Sequence, residues 1–122
     1  MTETESKPVD AHMLISSDRV EGTAVYNREG ERLGTIDTLM IEKASGQVEY
    51  AILSFGGLFG LGSEHYPLPW AKLDYDVDKH GYVVDMTREQ LMDAPSYPPD
   101  DKPEFSADYY RNINAFYGMG FW

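Results

Sequence analysis

The chain predicts a small, mainly β, antiparallel barrel of about six strands, folded as one domain. Three observations point there. Two turn signals, Asn27-Arg28-Glu29-Gly30 and Lys43-Ala44-Ser45-Gly46, sit between runs rich in β-branched and aromatic residues, as in successive hairpins. The 122 residues suffice for one core, because smaller units bury a smaller share of their surface. Within the run 33–43 the apolar residues change phase, with Ile36 and Met40 on one face and Leu33, Leu39 and Ile41 on the other. A period-two element does this only by bending or bulging, and a bulge near Asp37-Thr38 is what curls a sheet toward closure.

The elements follow in order. Residues 1–12 are polar and aperiodic and read as a disordered leader. Met13-Leu14-Ile15 forms an apolar patch that could lie on the barrel before Ser16-Ser17-Asp18 turns the chain. Strands are expected over 23–27, 33–43 and 47–55. The last of these carries Val48, Tyr50 and Ile52 on one side and Ala51, Leu53 and Phe55 on the other, so both of its faces need cover. A loop of alternating glycines and large apolar residues occupies 56–62. A strand over 65–70 contains Pro67 and Pro69, which donate nothing to a ladder and mark an edge or a bulge. Strands over 73–75 and 82–86 are joined by the turn-forming Asp78-Lys79-His80-Gly81.

Thr87 followed by Gln90 fits a capping box for a short helix that must end before Pro95. Residues 96–103, rich in proline and aspartate, read as a linker. Ser106 caps a second expected helix over 107–117, with Tyr109, Ile113, Phe116 and Tyr117 on one stripe and Gly118 as its stop. The organisation expected is therefore a leader over 1–12, a barrel over 13–95, a linker over 96–103 and an aromatic helical tail over 104–122.

Ten basic against 21 acidic residues give a net charge of −11, a surface that repels phosphate and anionic lipid headgroups. Neither nucleic acid nor an anionic membrane is an expected partner. The chain has no cysteine, so disulfides, thiolate nucleophiles and thiolate metal centres are excluded. The acidic start lacks the basic-then-apolar layout of a secretory signal, and no run approaches the length of a membrane span. A cytoplasmic location and no transmembrane segment are expected.

Gly30-Glu31-Arg32-Leu33-Gly34-Thr35-Ile36, then Gly46-Gln47-Val48-Glu49-Tyr50-Ala51-Ile52-Leu53-Ser54, then Tyr66-Pro67-Leu68-Pro69-Trp70, resemble in order and spacing the PRC-barrel family. That family is typified by the cytoplasmic domain of the photosynthetic reaction centre H subunit and includes the C-terminal domain of a ribosome maturation factor. The resemblance covers roughly residues 14–95. It implies a six-stranded, partly open barrel used as an interaction module, with no common enzymatic activity or cofactor, and stand-alone members that are cytoplasmic and dimeric. Neither the membrane anchor of an H subunit nor the partner domain of the maturation factor is read in these residues, so neither specific role is expected to carry over.

Candidate sites are few. Gly57 and Gly62 have P-loop spacing, but Ser63-Glu64 follow where a lysine is needed. Asp74, Asp76, Asp78 and Asp85 imitate a calcium loop, yet Lys79 takes the place of the required glycine and Asp85 that of the bidentate glutamate. They read instead as a solvated strand face with Tyr75 and Val77 turned inward. His12, His65 and His80 have no ligand spacing, and no nucleophile-and-base pairing is visible. No cofactor or metal is expected.

The last eighteen residues hold seven of the sixteen aromatics, from Phe105 to Trp122, too many for a solvated tail. The tail either clads its own barrel or crosses to a second subunit. The reading is a non-catalytic, homodimeric protein-interaction module. Its expected contact residues are Leu58, Phe59, Leu61, Trp70, Phe116, Phe121 and Trp122. A ligand- or metal-ion-sensing barrel and a small hydrolase are the alternatives.

Overall fold

The computed structural model describes residues 14–56 and 63–119. A single turn of helix, α1 (Ser17–Val20), leads into β1 (Ala24–Tyr26), β2 (Arg32–Ile41), β3 (Val48–Phe55) and β4 (Glu64–Pro69). A 3-10 turn over Trp70–Lys72 feeds β5 (Leu73–Asp76) and β6 (Gly81–Val84), followed by α2 (Arg88–Met92) and α3 (Ala107–Phe116). The six strands form one sheet in the order β4-β3-β2-β1-β6-β5. Its end strands do not pair with each other, so the barrel is partly open, as the resemblance implies.

Both predicted turns join β hairpins. Asn27 organises the first: only 2% exposed, its Oδ1 accepts from the backbone N–H groups of Glu29 and Glu31, and its Nδ2 donates to Glu31 Oε1. Buried polar side chains need such partners, and asparagine finds them within its own turn. Four neighbouring pairs are antiparallel. The fifth, β1 with β6, is parallel, and sets the second half of the chain beside the first strand across a long crossover.

The bulge expected near Asp37-Thr38 is present. Ile36 pairs with Leu53 and Thr38 with Ile52, leaving Asp37 unmatched. A second irregularity opposes Arg32 to Gly34 against Tyr26 and Val25, leaving Leu33 as the extra residue. The two together correct the expected faces of β2. Leu33, Ile36 and Leu39 all point into the barrel core, Met40 packs on the other side, and Ile41 is 52% exposed. A strict period of two could not have grouped Ile36 with Leu33 and Leu39.

The core divides across β3. On the concave side Ala51, Leu53 and Phe55 join Val25, Leu68 and Val84, with Leu91 and Ala94 from the α2 region closing the end. On the convex side Tyr50 and Ile52 pack with Tyr97 and Ile113, flanked by Phe105, Tyr109 and Tyr110. The tail helix therefore clads its own barrel in this chain. Ile52 and Ile113 have no exposed surface, and burying such a side chain contributes roughly 1.5–3 kcal/mol.

Both caps form as the sequence predicts. Thr87 accepts from the Gln90 N–H while the Gln90 side chain accepts from the Thr87 N–H, and Ser106 accepts from the Tyr109 N–H. The stretch 96–103 contributes more than a connection. Tyr97, 5% exposed, exchanges two backbone hydrogen bonds with His65 and so covers part of the outer edge of β4.

Two further expectations need correction. Leu14 and Ile15 are 89% and 66% exposed rather than laid on the barrel; among the described residues the first to reach the core is Val20. Tyr75 and Val77 are exposed rather than inward, because β5 is an edge strand whose buried residue is Leu73. Met13 lies outside the described residues.

A candidate interaction cleft beside the tail helix

The tail helix crosses the convex face of β3 and leaves a cleft of about 610 Å³ between itself, the first half of β3 and the 3-10 turn after β4. Its lining includes Glu42, Gln47, Glu49, Tyr50, Trp70, Tyr110, Asn114 and Met119. β3, α3 and the loops beside them place these side chains. Tyr50 points outward from β3 because Ala51 takes the inward position. Tyr110 and Asn114 stand one helical turn apart on α3 and face the same strand.

Polar contacts hold the walls. The Tyr50 hydroxyl donates to Asn114 Oδ1 at 2.8 Å, and the Tyr50 and Tyr110 rings meet edge to face at 5.3 Å. The Tyr110 phenol is pushed up to about 12, first by burial and then by its hydrogen bond to the Glu49 carboxylate. Burial likewise raises Tyr50 well above its ordinary value. Hydrogen bonds from the Ser45 hydroxyl and backbone hold the Glu42 carboxyl below its usual range. At neutral pH the cleft therefore presents neutral aromatic rings beside carboxylates, and none of its described lining residues is basic.

Trp70 is half-buried, with its ring 5.5 Å from Tyr82, and it borders both the barrel core and the cleft. Phe116 is 41% exposed and leans edge-on against Tyr117 at 5.0 Å. It borders a separate cleft of about 310 Å³ with Lys72, Asp85, Met86 and Gln90. The structure does not bring Trp70 and Phe116 to one cleft. Leu58, Phe59, Leu61, Phe121, Trp122 and the glycine loop at 57–62 lie outside the described residues.

The four aspartates do not converge on one site. Asp76 Oδ1 accepts from the N–H groups of Asp78 and Lys79 and shapes the β5–β6 turn, where His80 has φ 53°. Asp85 lies 3.4 Å from Arg28 in an exposed ion pair. Asp74 is solvated. Among the described residues no three metal-ligating side chains converge. His65 packs edge-on against Tyr97 at 5.5 Å, and His12 is outside the described residues.

Sequence reasoning did not single out Glu42, Glu49, Tyr50 or Asn114. The available signal was the spacing of Tyr110 and Asn114 on one helical face. The position of Glu49 was hidden, because β3 bulges there: Met40 pairs with Tyr50 and Ile41 with Val48, skipping Glu49. No helix among the described residues is long and apolar enough to cross a membrane.

An uncharacterized protein of Deinococcus radiodurans is 27% identical over 79 residues, which are 65% of this chain and 28% of that protein. RimM of Pseudomonas aeruginosa, described as a 16S ribosomal RNA processing protein, matches over 62% of this chain and 45% of its own, at 20% identity and a TM-score of 0.42. The chain thus spans less than half the length of either. The PRC-barrel domain model matches residues 13–91, the stretch that contains the whole sheet and most of α2, and this chain belongs to that family.

Proposed function

We propose that this chain is a non-catalytic protein-interaction module, an adaptor that works in the cytoplasm as a homodimer. The observation that carries the reading is the aromatic tail laid on the convex face of β3, which builds a cleft of about 610 Å³ with Trp70 on its wall. Clefts walled by Tyr and Trp are where interface energy concentrates. Trp70 and, at a separate cleft, Phe116 are the proposed anchors among the described residues, and Leu58, Phe59, Leu61, Phe121 and Trp122 are proposed as further contact residues.

The cleft phenols, raised by burial, are protonated at neutral pH and serve there as hydrogen-bond donors. With a net charge of −11, nucleic acid is not among the partners proposed. Light scattering on the purified chain and on Phe116→Ala and Trp122→Ala tests the assembly. A dimeric parent with at least one monomeric variant of unchanged circular dichroism is expected. A parent that is monomeric at high micromolar concentration and captures no protein from a bacterial extract overturns the reading.

A further inference from the structure

We infer that the cleft beside α3 is a receptor for a lysine or arginine side chain presented by an extended basic segment of a partner protein. This inference rests on the interaction-module reading and names the chemistry of its partner. Trp70 and Tyr110 supply accessible aromatic surface, backed by the buried Tyr50, and Glu42 and Glu49 supply negative charge within the same 610 Å³. A cation above a tyrosine or tryptophan ring is attracted by the ring's quadrupole, and more strongly once water is excluded. An ammonium also donates three hydrogen bonds, which two carboxylates and the Gln47 amide oxygen can accept.

Charge complementarity excludes the other simple occupants. An anion would face two carboxylates with no basic group among the described lining residues, and a purely apolar side chain would strip water from both carboxylates without replacing it. The field of a chain with net charge −11 steers cations inward from a distance, and the cleft gives them a place to stop. Neighbouring groups are compatible with this. Asn114 Oδ1 is engaged by Tyr50, and Arg111 on the next helical position pairs with Asp108 at 3.0 Å.

The probe is a blocked glycine-flanked peptide with two lysines, compared with its glutamine counterpart, titrated into the full chain and followed by heteronuclear NMR at low salt. The lysine peptide is expected to saturate, with shifts centred on Trp70, Tyr50 and Tyr110, and the glutamine peptide to leave them unmoved. Glu42→Gln and Glu49→Gln are expected to weaken binding by about fivefold each, the scale of one accessible ion pair. Asp74→Asn with Asp78→Asn, exposed and outside the cleft lining, should leave affinity unchanged.

Equal weakening by this pair outside the lining, or no saturable binding, overturns the inference. So does binding that appears only in a Phe121→Ser, Trp122→Ser variant, which would make the chain's own end the occupant. Each failure is separable from that of the interaction reading, since the dimer mass and Phe116→Ala report on that independently.

Discussion

The hydroxyl of Tyr50 in β3 donates a 2.8 Å hydrogen bond to Asn114 Oδ1 in α3, across 64 positions of sequence. Together with the hydrogen bond between Tyr110 and the Glu49 carboxylate, it gives direction to a largely apolar seam between barrel and tail. Tyr50 is 2% exposed, so its donor has no easy substitute in solvent. This bond fixes how the helix is rotated over β3, and thereby which residues wall the cleft.

Removing it should cost stability. Tyr50→Phe and Asn114→Ala are each expected to destabilise the chain by about 1 kcal/mol, and the double variant by less than the sum, since the two singles delete one bond. Urea unfolding with fixed m-values measures all three. Full additivity would mean that helix and strand are not joined this way.

Tyr117 should behave in the opposite sense. Its hydroxyl is buried with no hydrogen-bond partner, and the residue touches both the barrel core and the outer cluster. Tyr117→Phe removes an unsatisfied polar group while keeping the ring. It is expected to be neutral or to stabilise by up to about 1 kcal/mol in the same urea assay.

Alkali should release the tail. Burial raises Tyr97 and Tyr110 to about 12 from the ordinary 10.0, with Glu49 adding to the effect at Tyr110. Between those values the native chain holds protons that the unfolded chain has lost. Stability is therefore full below pH 10 and falls as pH rises toward 12. Absorbance of phenolate should show some of the nine tyrosines ionising late, together with loss of tertiary signal. Nine phenols titrating together near pH 10 with the fold intact would contradict a docked tail.

Two glycines should resist replacement for steric reasons. A Cβ on Gly34 would collide with the Ser54 carbonyl oxygen, and one on Gly81 would come within 2.6 Å of the Ala24 carbonyl. Gly34→Ala and Gly81→Ala are each expected to cost about 2 kcal/mol or more, through displaced strands. Gly22→Ala has open space and only its φ of 87° against it, so it should cost less, roughly 1 kcal/mol. Thermal unfolding of the three ranks them.

The ion pair between Glu31 and Arg88 ties the first hairpin to α2. Arg88 Nε donates to Glu31 Oε2 at 2.6 Å while its guanidinium lies 5.2 Å from the Phe55 ring. The bond from Arg88, then that from Asn27, holds the Glu31 carboxyl below its usual range. A lowered carboxyl contributes stability above its unfolded value that is lost as pH falls through the folded one. Arg88→Gln should move the Glu31 titration upward by NMR and lower the melting temperature slightly at neutral pH. That difference should shrink under acid.

Much of this architecture was written locally. The two β-hairpin turns, the change of apolar phase around Asp37, the capping box at Thr87 and the Ser106 cap each depend on residues within a few positions of one another, so a sequence carries them outright. Six strands followed from counting such signals. The crowding of aromatics after Phe105 likewise announced that the tail must bury itself.

The tertiary structure alone decided which surface the tail covers and which side chains it gathers. Leu33 and Glu49 bulge only when a neighbouring strand sets the register, and that register turned Ile36 inward and placed Glu49 beside Tyr110. Likewise Tyr75 looked inward by alternation but sits on an edge, a fact that strand order and not strand composition determines. Local dihedral preferences act over a few residues, whereas the faces of a sheet are assigned by pairing between segments far apart. The cleft exists at the meeting of three such segments, which is why no motif announced it.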